Sequence, residues 1–243
     1  MKNIVLLVVL QMFALPIFAQ TATKFWEVEP TEKAVQDKRP YLRAFVSVQL
    51  DTSTLLNKLQ TVPLEGTTAG LPPAVLTLPM PDGSTEQFEV VESPVMESRL
   101  AQKYINFRTF SGRSLKDRTA KLRLSWTSKG LHAHILSSKG TIFINALRED
   151  KTRCISFYKT DFESSPLHCE LQEKAAAITE TVTTTNFPET GETLRTMRTA
   201  IAANGEYTAF HGGTVEDGMA AIVIALNRLN NLFERELALR LIL

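Results

Sequence analysis

From Leu194 onward the chain reads strand, glycine-rich turn, long amphipathic helix, strand, and the second strand, Leu237–Leu243, is also the last stretch of the sequence. A strand returning through a helix to a parallel neighbour is a right-handed crossover in nearly every protein. Two strands by themselves leave most of such a sheet unpaired. The pattern therefore predicts the opening of an α/β domain, one that stops after its second strand. Its local signals are clear. Asn204-Gly205 and His211-Gly212-Gly213 mark turns, and Thr214 suits an N-cap with Asp217 three residues on. Met219, Ile222, Val223, Leu226, Leu229 and Phe233 recur at helical spacing and make one apolar face, with Asn227, Asn231, Glu234 and Arg235 largely away from it. Leu237, Leu239, Leu241 and Leu243 alternate as a strand requires.

The other end of the chain predicts export. Lys2 precedes two apolar runs, Ile4–Leu10 and Met12–Phe18, and small Ala19 followed by Gln20 suits a cleavage point. Residues 1–19 are thus expected to be a signal peptide, with a secreted or periplasmic product and no membrane span after its removal. Cys154 and Cys169 would then lie in a compartment where disulfides persist. The bridge they would form closes a short loop and contributes about 3 kcal/mol; two buried thiols are the alternative. With a net charge of +1, the chain lacks the basic excess of a nucleic-acid binder.

Between these ends the sequence is rich in strand signals. Phe25–Val28 reads as extended, and Leu42, Ala44, Val46, Val48 and Leu50 fall on one face of a strand. Asp51 begins a capping run for a short helix through Leu55, Leu56 and Leu59. Val75–Leu78 and Gln87–Val91 flank Pro81-Asp82-Gly83-Ser84, a turn signal. Thr119–Trp126, Leu131–Leu136, Thr141–Ala146 and Cys154–Phe157 follow as strands. Short strands at near-regular spacing predict a β-sandwich-like region over 20–171. Residues 172–193, rich in Thr, Glu and Ala, read as a linker. The expected fold is α+β: a β-rich, sandwich-like region, then an incomplete α/β strand–helix–strand segment over 194–243.

No catalytic or metal constellation emerges from the residues. His132 and His134 share one strand face and could grip a metal only with a third ligand, which the sequence does not supply. No histidine pair has the i, i+4 spacing that presents two imidazoles on one helix face. There is no G-x-S-x-G elbow. His211-Gly212-Gly213-Thr214 precedes a helix but lacks the phosphate-loop lysine and the G-x-G-x-x-G spacing, so it reads as a capped turn.

Several stretches nevertheless carry a resemblance. Leu194-Arg195-Thr196, Gly205-Glu206-Tyr207-Thr208-Ala209-Phe210-His211-Gly212-Gly213-Thr214-Val215, Ala220–Val223, Asn227-Arg228-Leu229-Asn230 and Phe233-Glu234-Arg235-Glu236-Leu237 are similar to the start of the catalytic domain of secreted bacterial reprolysin-like zinc metallopeptidases, which are metzincins. Leu78–Gly83 and Tyr104–Gly112 resemble their propeptides more loosely. The resemblance implies a precursor with signal, propeptide and catalytic domain, acting on protein or peptide substrates. It implies zinc held by the histidines of a later H-E-x-x-H-x-x-G-x-x-H helix, whose glutamate activates a zinc-bound water. That motif is absent from these 243 residues, so no position is assigned as catalytic or metal-binding, and this chain alone is expected to be inactive. A non-enzymatic exported module that binds a protease as a propeptide does, or that serves in adhesion, is the alternative.

Overall fold

The computed structural model describes residues 24–29, 42–67, 72–148, 150–163 and 193–243. Nine strands form one antiparallel sheet: β1 (Trp26–Val28), β2 (Val46–Leu50), β3 (Ala74–Pro79), β4 (Thr85–Glu92), β5 (Arg108–Ser114), β6 (Lys121–Thr127), β7 (Gly130–Ser137), β8 (Gly140–Ala146) and β9 (Arg153–Tyr158). From β3 to β9 each strand pairs with the next in sequence; β2 then pairs with β9, and β1 with β2. The two ends of this order, β1 and β3, come together. Trp26 Nε1 donates to the Thr77 carbonyl at 2.8 Å, and Ser156 Oγ of β9 donates to the Pro79 carbonyl at 2.9 Å. The sheet is thus a nearly closed barrel.

This overturns the sandwich-like expectation. Strand count, spacing and alternation are the same whether a sheet stacks on another or curls onto itself. The difference lies in the seam, which here joins a side-chain N–H to a strand carbonyl 51 residues away. The interior is filled by Phe88, Phe110, Leu76, Leu78, Leu122, Leu124, Ile135 and Ile144. Helix α1 (Thr52–Gln60) plugs it with Leu55 and Leu59. Asp51 caps α1 as expected, accepting from the Thr54 amide at 3.0 Å. The turn between β3 and β4 also forms as expected, with Gly83 at φ 80° and the Met80 amide donating to the Ser84 carbonyl.

Strand β5 lacks a clear sequence signal, because it carries polar residues and Gly112 mid-strand. The glycine has a packing reason: a Cβ there would lie 2.8 Å from the Glu89 carbonyl oxygen on the neighbouring strand. A four-residue helix, α2 (Ser98–Ala101), sits in the β4–β5 connection.

The C-terminal segment also departs from the expected separate α/β unit. Strand β10 (Arg195–Arg198) and strand β11 (Leu239–Ile242) do pair in parallel. Where Asn204-Gly205 suggests only a turn, Asn204 caps a short helix, α3 (Gly205–Phe210), by accepting from the Tyr207 amide. Helix α4 (Val215–Glu236) follows, and Thr214 caps it by accepting from the Asp217 amide. Gly212 and Gly213, at φ 125° and 89°, make the reversal between the two helices.

The core of this segment is shared with the barrel. Ala220, Val223 and Leu226 of α4 pack with Val95, Met96 and Phe107 from the β4–β5 connection. Leu243 continues the union through the backbone: its amide donates to the Val95 carbonyl, and its carbonyl accepts from the Glu97 amide, both at 2.8 Å.

Candidate functional site at the barrel–helix junction

Strands β6 and β7 are buried on both faces. Leu122 and Leu124 of β6, with Ala133 and Ile135 opposite them on β7, point into the barrel. Arg123 and Ser125, with His134 and His132 opposite, point outward toward α4; the first three are buried and His132 is half-buried.

Helix α4 meets this outer face through asparagines. Asn227 and Asn231 are one helical turn apart and so project from the same side. Asn227 Nδ2 donates to the Leu124 carbonyl and to Ser125 Oγ, both at 2.9 Å. Asn231 Nδ2 donates to the His134 carbonyl at 3.0 Å. Asn230 turns toward β11, accepting from the Leu241 amide at 2.8 Å and donating to the Leu241 carbonyl at 2.9 Å, much as a paired strand would. All three amides are nearly excluded from water. The apolar face expected of α4 is only half used. Val223 and Leu226 are buried, whereas Leu229 remains 40% exposed. A polar side chain counts as solvent-seeking in a periodicity argument, but carbonyls on a strand surface give it partners that water would otherwise supply.

A charge network flanks the asparagines. Arg123, whose side chain is 2% exposed, pairs with Glu234 of α4. Glu234 also accepts from Arg240 of β11. Arg240 in turn makes a two-pronged contact with Glu65, at 2.7 and 3.0 Å. Ser93 Oγ donates to Glu65 at 2.7 Å and accepts from Arg123 at 3.0 Å, which closes the ring. Burial alone would push Glu65 up, but its bonds to Arg240 and Ser93 outweigh that and hold its carboxyl below the usual range. Burial pulls Arg123 down, and Glu234 opposes the pull. At the other end of the helix, Lys129 reaches the His211 carbonyl and lies 2.7 Å from Asp217 Oδ1.

Among the residues singled out in the sequence, Ala19, Gln20 and Cys169 lie outside the described residues, as does the linker reading apart from residue 193. Cys154 lies in β9 within the barrel core, and burial drives its thiol far above its ordinary range. His132 and His134 do share the outward face of β7. Burial, with Arg228 nearby, lowers them to about 3 and about 4, so both are neutral near pH 7. Among the described residues, no three His, Cys, Asp or Glu side chains come together as a metal site. These residues therefore do not fit a zinc centre. The residues that organise the junction, Arg123, Asn227, Asn231 and Glu234, carried no functional signal in the sequence. The cluster Asn227, Asn230, Asn231 within an apolar helix was the available hint.

The helix so held belongs to a recognisable stretch. Residues 193–243 match the model of the reprolysin-like metallo-peptidases, family M12B. This stretch is therefore similar to part of a protease-related domain, and the family it resembles is zinc-dependent and acts on proteins. The match leaves the barrel outside it. No curated protein matches the sequence. A solved structure described as "Structure of a chaperone-substrate complex" is similar at 10% identity and a TM-score of 0.36, over 53% of this chain and 94% of that one. Among the described residues, no helix is long and apolar enough to cross a membrane.

Proposed function

We propose that the chain is the N-terminal part of a secreted zinc endopeptidase precursor, in which the barrel is a prodomain that clamps the opening helix of the protease domain. The observation that carries this reading is the junction itself. The helix of the reprolysin-like stretch is fastened to the barrel by asparagine-to-carbonyl hydrogen bonds and a ring of ion pairs. Alongside the apolar contacts of Ala220, Val223 and Leu226, these are polar groups that water can satisfy once the helix has left, as at an inter-domain interface. A clamp held this way orders the helix before activation and can release it once the connection is cut. Residues 1–19 would direct export and 172–193 would be the place of the cut. The zinc and the peptide-hydrolysing residues would come from sequence beyond these 243 residues.

The test extends the reading frame past codon 243 and expresses the resulting precursor. An in-frame H-E-x-x-H-x-x-G-x-x-H, with peptide hydrolysis that is chelator-sensitive and rises on cleavage within 172–193, is the expected result. A precursor as active before cleavage as after it would remove the prodomain role. Absence of the motif downstream would remove the endopeptidase reading.

A further inference from the structure

Arg228 of α4 is a half-buried cation without a counter-ion among the described residues. Its Nη2 donates to Asn145 Oδ1 at 2.6 Å, and its guanidinium carbon lies 5.3 Å from the centre of the Phe143 ring. Its Nε–H is buried and has no acceptor. Among the described residues no carboxylate pairs with it, and burial alone lowers it to about 10. A guanidinium taken out of water without a partner is costly, and such groups are ordinarily matched by an anion.

Arg228 lines a cleft of about 670 Å³ between α4 and strands β7–β9, within the size range of small-ligand pockets. One wall is apolar, with Leu147, Ile155 and Phe157 from the barrel facing Ile224 of α4. Arg148 and Lys151 add positive charge, and no Asp or Glu is among the described lining residues. Lys129 also borders the cleft but is engaged by Asp217. Arg148 is likewise occupied in part, donating to the Phe210 carbonyl at 2.8 Å. The cleft thus offers one half-buried cation, unmatched among the described residues, beside an apolar wall. A bare phosphate would need more donors than this and would leave the wall uncovered; a monoanion with a hydrocarbon body uses both features.

We propose that this cleft binds a small apolar carboxylate, with its acid group on Arg228 and its body against Ile155, Phe157 and Ile224. Guanidinium geometry suits a carboxylate, and the inference stands independently of the prodomain reading.

Calorimetric titration of the full chain with decanoate below its micellar concentration tests this, with decanol and inorganic phosphate as parallel probes. Saturable decanoate binding is expected, with decanol about tenfold weaker, as loss of a charge-assisted contact implies, and no saturable phosphate binding. Arg228→Gln should weaken decanoate by a similar factor. Should that variant fail to fold, the arginine Nε–H resonances of the unsubstituted protein report the same contact, and one of them should shift on adding decanoate. Equal binding of decanol and decanoate, phosphate binding that displaces decanoate, an unmoved Nε–H set, or no saturable decanoate binding would each overturn the assignment.

Discussion

Arg123 on β6 and Glu234 on α4 form an ion pair in which the arginine side chain is 2% exposed and the glutamate 18% exposed. The pair joins the barrel to the reprolysin-like stretch at a point where neither partner can turn to water freely. Removing one member of a buried pair strands the other, which costs far more than the net worth of the pair. Glu234→Gln is therefore expected to destabilise the chain by about 3 kcal/mol, read as a lower urea midpoint, while Arg240 keeps Glu65. The double variant Arg123→Met with Glu234→Leu should recover much of that loss, since apolar side chains of similar size often replace a buried pair at little cost. A double variant no better than Glu234→Gln would mean that the network is needed as a whole.

Asn227 tests the asparagine clamp. Its amide donates to a strand carbonyl and a serine hydroxyl. Asn227→Ala removes both bonds and leaves a small void, an expected loss of about 1–2 kcal/mol. Asn227→Asp keeps the shape but turns a donor into an acceptor facing the Leu124 carbonyl. The aspartate variant should be the less stable of the two at pH 7 and should recover partly as the pH is lowered and the carboxyl protonates. Hydrogen exchange along α4 would localise the effect: protection should fall in α4 before it falls in β6. Equal stabilities for the two variants would argue that the amide is a spacer and not a clamp.

Much of the local structure was legible from individual residues. Asp51 announces α1, Pro81–Ser84 announces the β3–β4 turn, and Thr214 with Asp217 announces α4, because each signal depends on contacts within four residues of itself. The global arrangement was not legible, because it rests on pairings that no local pattern records. Closure of the barrel depends on Trp26 finding a carbonyl on β3, and the seating of α4 on asparagines finding carbonyls about a hundred residues upstream. The face containing Leu229 looked like the buried one because hydropathy ranks leucine above asparagine. The structure buries Asn227 and leaves Leu229 half open. Strand β5 escaped notice for a related reason: its composition is set by a close inter-strand approach at Gly112 and not by β propensity.

That close approach is itself testable. A methyl group at position 112 would stand 2.8 Å from the Glu89 carbonyl and 3.1 Å from a Val90 methyl. The first of these is backbone, which cannot swing aside as a flexible side chain does. Gly112→Ala should therefore cost about 1–3 kcal/mol through overpacking, although alanine is otherwise the better strand residue. Gly83→Ala provides the contrast, because it meets nothing within 4 Å but sits at φ 80°. Its penalty should come from backbone strain alone and leave the β4–β5 register intact. Thermal melts of both variants, with amide exchange across β4 and β5, separate the two mechanisms.

The outward histidines of β7 give the fold a distinctive acid response. Burial lowers His132 to about 3 and His134 to about 4, against about 6.5 for the unfolded chain. Between those values the unfolded chain holds protons that the folded one does not. The folded state is therefore stabilised above about pH 6.5 and loses that advantage as the pH falls, down to the folded values near 4 and 3. Each histidine adds a slope of up to about 1.4 kcal/mol per pH unit in this window. Carboxylates such as Glu65, whose folded value is also depressed, act in the same direction, but chiefly below about pH 5, because the unfolded carboxyl is half protonated only near 4.5. The interval from about pH 5 to 6.5 thus belongs largely to histidine. Urea unfolding across it should show stability rising with pH, and His134→Gln should flatten the rise, leaving the part that His132 and the likewise lowered His211 contribute. A pH-independent stability across that interval would mean that α4 does not keep the two imidazoles dry.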